Sequence, residues 1–251
     1  MLKDRIRELL APFWKSDRVS PARIIIFGFL LLILLGAVLL MLPFSTREWG
    51  GASFTDALFT ATSATCVTGL VVHDTATYWS QFGQLVILFL IQVGGMGVVT
   101  MAVAIFIFSG KRIGLKQRWV MQESISAPQV GGIVRFTGFI LKGIFLFELL
   151  GALALMTVFV PGKGFRGVWL AVFHSVSAFC NAGFDLMGIR EPFSSLTTLG
   201  GSVPVALTLS APIIVGGLAP FTWRALYDHP LRWKRNTLHT KPALVTTAQP
   251  P

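Results

Sequence analysis

The chain has 251 residues, of which 53% are hydrophobic and 13% are charged, and its formal net charge is +10. This composition excludes an ordinary soluble domain and indicates a membrane protein. The two cysteines, Cys66 and Cys180, are too few for a disulfide framework and lack the spacing of a metal site, so we expect them to fill packing roles.

The basic residues are concentrated in three segments, which argues against nucleic acid as a partner. Sixteen of the 21 lie before the first apolar run, between the second and third runs, or after the last. If the chain crosses the membrane an even number of times between these segments, all three face the cytoplasm, as the positive-inside tendency requires. We therefore predict a multi-pass, lipid-bound protein of the cytoplasmic (inner) membrane with a cytoplasmic N terminus. The basic residues left in the intervening loops are Arg47, Lys163, Arg166 and Arg190.

The first predicted unit, residues 21–110, follows a cytoplasmic segment at residues 1–20. A membrane span at 22–43 ends at Pro43. A short helix is then predicted at 54–65, with Ser53 or Thr55 as its N-cap. It covers only ~18 Å, which is too short to cross the ~30 Å hydrocarbon core. A second span is predicted at 81–109, after Tyr78 and Trp79, which suit the outer membrane interface.

The second predicted unit, residues 131–222, repeats this order after a basic cytoplasmic linker at 111–130. It has a span at 133–160, a short helix at 168–180 and a span at 197–220, and a cytoplasmic tail occupies 223–251. An offset of 114 residues pairs Cys66 with Cys180 and Ser63 with Ser177. The predicted fold is an all-α integral membrane protein with two repeats of outer helix, re-entrant pore helix with filter loop, and inner helix.

Each short helix is followed by a loop that ends in glycine, and this pattern predicts a pore. Non-helical backbone at membrane depth is tolerated only where it is buried in protein or lines water. Glycine permits backbone angles that align carbonyl oxygens, which replace the hydration shell of a cation, and the negative end of a helix dipole favours the same charge. The predicted ion-binding carbonyls belong to a first loop, Cys66, Val67, Thr68 and Gly69, and a second loop, Cys180, Asn181, Ala182 and Gly183. The alternative is that these glycines only allow close helix packing, which we expect of the glycines in "VGGMG" and "VGGLA".

Other polar residues carry weaker signals. Asp185, next to the second loop, is a candidate for drawing cations to the pore mouth. Lys142 and Glu148 lie six residues apart within one predicted span, where charged groups are either functional or paired. His73 and Asp74 resemble a catalytic pair, but no nucleophile or metal ligand accompanies them, so we expect a surface loop there.

Three stretches carry a resemblance to a known family: "FTDALFTATSATCVTGLVVHDTATYWSQFGQLVILFLIQVGGMGVVT", "HSVSAFCNAGFDLMG" and, more weakly, "IIVGGLAPFTWRALYDHPLRWKRNTLHTK". The chain resembles the membrane subunit of the Trk/Ktr/HKT superfamily of potassium transporters, most closely its KtrB branch. The resemblance implies four such repeats around one pore, with a filter glycine from each, here Gly69 and Gly183. Some plant members have serine at the first filter position, so Gly69 implies preference for potassium.

The resemblance also implies the partners and the cargo. These are a homodimer, a cytosolic nucleotide-binding regulatory subunit of the KtrA/TrkA type, and no cofactor besides transported K⁺, with Na⁺ stimulation in the Ktr branch. Only two of the four repeats are present, "LHTKPALVTTAQPP" resembles the start of a third, and "LAPFTW" departs from the family pattern. We therefore expect a truncated or fragmentary form.

Four functions remain open at this point. The first is potassium uptake, and the second is a non-conducting half-transporter that acts only through assembly with other subunits. A third is a water or solute channel with re-entrant loops, which predicts inverted rather than same-direction repeats. An enzyme is least favoured, because no acid, base and nucleophile occur together.

Overall fold

The structure is a computed structural model that describes residues 21–97, 100, 114–124, 132–161, 163–189, 191–195, 197, 203–218 and 223. Over these residues the chain is helical, with no β-strand beyond an isolated bridge between Thr46 and Trp79. The predicted all-helical class is confirmed for this part of the chain. The named helices are α1 (Pro21–Leu40), α2 (Phe54–Thr65), α3 (Gln81–Met96), α4 (Leu115–Ser124), α5 (Ile133–Phe159), α6 (Phe165–Phe179) and α7 (Val203–Gly217).

Two of these helices, over Ala22–Leu40 and Ile133–Phe159, are long and apolar enough to cross a membrane. Shorter apolar helices cover Gln81–Met96 and Val205–Gly217. Large apolar side chains are exposed along both long helices, including Leu31, Leu35 and Val38 on α1 and Leu146 and Leu149 on α5. Exposed leucines in such a row are what contact with lipid tails requires.

Helix α2 has the predicted bounds because local capping fixes its start. The hydroxyl of Ser53 accepts a hydrogen bond from the amide of Asp56 at 3.1 Å, which satisfies one of the free amides of the first turn. The helix has 12 residues, and its buried face consists of alanine, serine and threonine. Small side chains allow neighbouring helices to approach this short helix closely.

One predicted helix start was wrong, and several other predicted bounds lie outside the described residues. Helix α3 covers Gln81–Met96, and Gly97, which follows it, has φ of +81°. Residue 100 is again helical, while residues 98, 99 and 101–113, which include the predicted end of this span at 109, lie outside the described residues. Helix α6 begins at Phe165 rather than 168. Helix α7 is described from Val203, and residues 198–202, at the predicted start of this span, lie outside the described residues. The predicted linker contains a helix, α4, that sequence periodicity did not indicate. The segments 1–20 and 224–251 also lie outside the described residues.

The helices form two groups that share one core. Helix α1 packs against α2 and α3, and α5 packs against α6 and α7, while contact between α3 and α6 joins the groups. The shared core includes Leu90 and Ile91 from the first group and Leu155 and Phe173 from the second. The ends of α2 and α6, and the loops that follow them, are therefore held next to each other.

The side chain of Trp79 is buried in the protein, although its residue type is typical of a membrane interface. Its side chain is 1% exposed, and it packs edge-on against Tyr78 with ring centroids 5.0 Å apart. Its carbonyl accepts a hydrogen bond from the side-chain Nε2 of Gln84 at 3.1 Å. The β-bridge to Thr46 turns this segment back over the protein, so the indole fills the core instead of facing lipid.

Candidate functional site

The first loop leaves α2 through a tight hydrogen-bonded turn. The amide of Cys66 donates to the carbonyl of Thr62, and the amide of Thr68 donates to the carbonyl of Ser63, at 2.8 and 3.0 Å. The hydroxyl of Ser63 reaches past the loop and donates to the carbonyl of Leu70 at 2.7 Å. One serine of the short helix thus fixes both ends of the loop, which frees the loop's remaining carbonyls from helical bonding.

The second loop has the same hydrogen bonds at positions 114 residues later. The amide of Cys180 donates to the carbonyl of Val176 at 2.9 Å, and the amide of Ala182 donates to the carbonyl of Ser177 at 2.8 Å. The hydroxyl of Ser177 donates to the carbonyl of Phe184 at 2.6 Å. Ser177 therefore has the role in the second loop that Ser63 has in the first.

Backbone angles also match between the loops. Val67 and Gly69 have φ of +58° and +74°, and Asn181 and Gly183 have φ of +56° and +73°. Left-handed backbone is strained for a β-branched residue such as Val67 and is seldom found without a functional or structural reason. A left-handed residue, one further residue and then a left-handed glycine is thus the shared backbone pattern of the two loops.

The two loops meet at their glycines. A Cβ placed on Gly69 would lie 2.8 Å from the carbonyl oxygen of Ala182 and 3.3 Å from the Cα of Gly183. A Cβ on Gly183 would lie 3.2 Å from the Cα of Gly69. The glycines are therefore needed twice, once for their backbone angles and once for the close approach of the two loops.

Glycines of the helices that follow pack against the ends of the short helices. A Cβ on Gly94 of α3 would overlap the carbonyl oxygen of Thr65, the last residue of α2. A Cβ on Gly216 of α7 would overlap the carbonyl oxygen of Phe179, the last residue of α6. These glycines belong to "VGGMG" and "VGGLA", and the predicted close packing of helices at both sequences is confirmed.

His174 holds the segment after the second loop, and sequence reasoning missed it. Its side chain is 3% exposed. Its Nδ1 lies 2.7 Å from the carbonyl oxygen of Leu170, and its Nε2 lies 3.3 Å from the amide nitrogen of Leu186. A carbonyl only accepts and an amide N–H only donates, so the ring is neutral with its proton on Nδ1.

Asp185, the predicted mouth residue, is half-buried, and its Oδ1 accepts a hydrogen bond from the amide of Met187 at 2.9 Å.

Asp74 joins the two halves beyond the loops, contrary to the predicted surface position. It is 8% exposed. Its Oδ1 accepts hydrogen bonds from the amides of Ala76 and Thr77 and from the Thr77 hydroxyl, at 2.9 to 3.0 Å. Its Oδ2 accepts a hydrogen bond from the amide of Phe193 at 2.9 Å, and Gly188 packs against the carboxylate. No local signal in the sequence could have revealed partners more than a hundred residues away.

His73 pairs with a different carboxylate from the one beside it in sequence. Its Nε2 lies 3.2 Å from Oδ2 of Asp56, and its ring stacks on Tyr78 with centroids 3.9 Å apart. The pKa of Asp56 is lowered mainly by its hydrogen bond with Ser53 and, to a smaller extent, by its hydrogen bond with His73. These contacts tie the start of α2 to the segment after the first loop, and His73 and Asp74 do not act as a pair.

The two charged residues predicted within one span, Glu148 and Lys142, differ in burial. Glu148 is buried and accepts a hydrogen bond from Gln92 at 2.8 Å, whereas Lys142 is exposed on the same helix. Cys180 is half-buried, as packing predicts, but Cys66 is exposed, and both thiols are free. Among the described residues, no three His, Cys, Asp or Glu side chains are grouped as metal ligands.

Known proteins are similar to this chain over most of its length. The family model for TrkH, described as a cation transport protein, matches residues 20–244. The potassium/sodium uptake protein NtpJ of Enterococcus hirae is 40% identical over 249 residues, covering 99% of this chain and 52% of that protein. Ktr system potassium uptake protein B is 44% identical in Bacillus subtilis and 35% identical in Vibrio alginolyticus, with 93% and 94% of this chain covered and 51% of each relative. The chain spans about half the length of these curated relatives.

Proposed function

This chain belongs to the TrkH family of cation transport proteins, and we propose that it contributes two walls of a potassium-selective pathway for uptake across the cytoplasmic membrane. Two units, residues 21–110 and 131–222, each supply an outer helix, a re-entrant pore helix and an inner helix. K⁺ is bound by backbone carbonyls of residues 66–69 and 180–183, and no cofactor takes part.

The contact between Gly69 and Gly183 carries this proposal. It brings together two loops with the same hydrogen bonds and the same left-handed positions, each at the C-terminal end of a short helix. The two helix ends together place negative dipole charge, about half an elementary charge each, at one point. Backbone carbonyls at such a point replace cation hydration and disfavour anions.

Side chains on these glycines should alter ion preference because they would displace a neighbouring wall. A serine at position 69 places its Cβ 2.8 Å from the carbonyl oxygen of Ala182, closer than real Cβ atoms approach. The carbonyl must move, and the arrangement of the coordinating carbonyls sets the preference of such a filter for K⁺ over Na⁺.

The proposed filter is tested in a potassium-uptake-deficient bacterium grown on low potassium. The variants are made in a version of the protein that restores growth of this bacterium. We expect Gly69→Ser and Gly183→Ser to raise sodium permeability relative to potassium. Gly132→Ser is the matched control, because Gly132 has φ of +76° but has no atom near a Cβ. Unchanged selectivity in both loop variants, or the same change in the control, would contradict the proposed filter.

The relatives named Ktr system potassium uptake proteins support an assembly with further components. We propose a homodimer bound to a cytosolic nucleotide-binding regulatory subunit of the KtrA/TrkA type, with the N terminus in the cytoplasm and transport stimulated by Na⁺. Co-purification with such a subunit tests the assembly, and accessibility of residues 1–20 to a membrane-impermeant reagent only in opened cells tests the orientation.

A non-conducting role is the second candidate, and the relatives named as proteins of a Ktr system support a role in assembly. In this role the chain acts only by assembling with other subunits. Expression of the 251-residue chain alone separates the candidates: restored growth supports conduction by this chain, and no growth together with co-purification of a full-length relative supports the second role.

A further inference from the structure

A cavity of about 310 Å³ lies between the starts of α3 and α6, apart from the two loops. Its lining includes Arg47 from the segment after α1 and Arg166 from the first turn of α6. Both units of the chain therefore contribute a cation to one concave site. Four basic residues occur in the loops outside the three basic segments, and two of them line this cavity.

The charge of this cavity is not neutralised by the described part of the chain. No carboxylate lines it, and neither arginine forms an ion pair with a described residue. Arg47 donates one hydrogen bond, from Nη2 to the carbonyl of Ala76 at 2.6 Å, which fixes its guanidinium at the wall and leaves other N–H groups available. Two guanidinium groups in one cavity exclude a cation and favour an anion.

The rest of the lining is largely apolar and rigid. Trp169 donates from its indole nitrogen to Oε1 of Gln84 at 2.9 Å, and the same Gln84 side chain donates to the carbonyl of Trp79, so the indole is held in place across the two units. Leu186 and Ile189 complete this side of the cavity. Apolar walls beside two guanidinium groups fit a ligand that has an anionic head and an apolar body.

We propose that this cavity binds the headgroup phosphate of a membrane phospholipid, with its acyl chains along the apolar wall. Guanidinium binds phosphate through paired hydrogen bonds, better than ammonium does, and a phospholipid carries such a phosphate next to its apolar chains. Lipid phosphates lie at both faces of a bilayer, so the assignment does not depend on which way the chain faces. It also does not depend on ion conduction.

The test measures lipid binding to the purified full chain in neutral detergent by native mass spectrometry. Three probes separate the possible sources of binding: phosphatidylglycerol, diacylglycerol, which has the same acyl chains without phosphate, and inorganic phosphate. We expect phosphatidylglycerol to bind with a single tight site, diacylglycerol not to occupy it, and millimolar inorganic phosphate not to displace it.

Variants then locate the site. Arg166→Ala should weaken phosphatidylglycerol binding about tenfold, since a hydrogen bond to a charged group is lost, and Arg166→Lys should fall between it and the wild type. Lys163→Ala is the matched control: Lys163 lies three residues earlier, outside the cavity lining, with its ammonium 5.7 Å from the ring centre of Phe159. Arg166 is exposed, so its substitution should leave the thermal unfolding midpoint unchanged.

Each other result would overturn the proposal. Equal affinity in Arg166→Ala and Lys163→Ala would place the lipid elsewhere. Equal binding of diacylglycerol would mean that the apolar wall alone acts, and displacement by inorganic phosphate would mean a site for free anions. The proposed function is tested separately: unchanged selectivity in the Gly69→Ser and Gly183→Ser variants, with lipid binding retained, would refute that function and leave this site intact.

Discussion

Replacing Asp74 with asparagine should loosen the connection between the segments that follow the two loops. The carboxylate accepts three hydrogen bonds on Oδ1 from Ala76 and Thr77, and one on Oδ2 from the amide of Phe193. Asparagine has one acceptor oxygen. If that oxygen keeps the hydrogen bonds from Ala76 and Thr77, the NH₂ group of the asparagine faces the amide of Phe193. One charge-assisted hydrogen bond is then lost, and two donors oppose each other.

The expected cost is about 2 kcal/mol, the usual loss for a hydrogen bond to a charged group with a buried donor left unpaired. For a chain of this size, that corresponds to a fall of about 4–8 °C in the unfolding midpoint. Intrinsic fluorescence during heating in detergent measures this fall. Hydrogen exchange by mass spectrometry should also show faster exchange of amides in residues 188–195, because their anchor to the first unit is weakened.

Asp185→Asn is the matched control, since the Asp185 carboxylate accepts a hydrogen bond from an amide only two residues away, that of Met187. This local bond crosses no interface between the units, so a smaller fall is expected and no change in exchange near Phe193. Equal effects of the two substitutions would refute the reasoning that Asp74 acts by joining the units.

Two further predictions concern helix packing. Gly94→Ala should destabilise the protein by about 2 kcal/mol despite alanine's better helix propensity, because its methyl group would overlap the carbonyl of Thr65. The control is Gly138→Ala, which should be neutral or stabilising because a Cβ there meets no atom. Similar thermal unfolding midpoints for the two variants would contradict this packing. Glu148→Ala should cost about 1–3 kcal/mol because the Gln92 amide loses its acceptor, whereas Glu148→Gln keeps an acceptor oxygen and should unfold near the wild-type midpoint.

Features governed by near neighbours in the sequence were predicted well. The bounds of α2 followed from a serine cap and an apolar run, and the left-handed backbone at Gly69 and Gly183 followed from the residue type and its place after a short helix. A local break in a helix was not predicted. Gly97 follows α3 with a left-handed angle, and the apolar sequence around it gave no reason to expect one there.

Residues whose roles depend on distant partners were missed or misplaced. His174 reads as an ordinary histidine in the middle of a helix, yet both of its ring nitrogens have partners in the core. Asp74 was expected in a surface loop because no nucleophile or metal ligand accompanies it, and Trp79 was expected at the outer membrane interface because of its residue type. Both are buried, since the chain folds back on itself there and brings their partners over them.

The sequence by itself determined that the chain is apolar and helical, where its short helices lie, which loops end in glycine, and which family it belongs to. Those properties depend on residue type and short-range spacing, which a linear pattern records. Only the tertiary structure decided that Gly69 touches Gly183, that Asp74 binds the backbone at Phe193, and that Arg47 and Arg166 share a cavity. These contacts join positions more than a hundred residues apart, and their partners are fixed by the packing of α3 against α6.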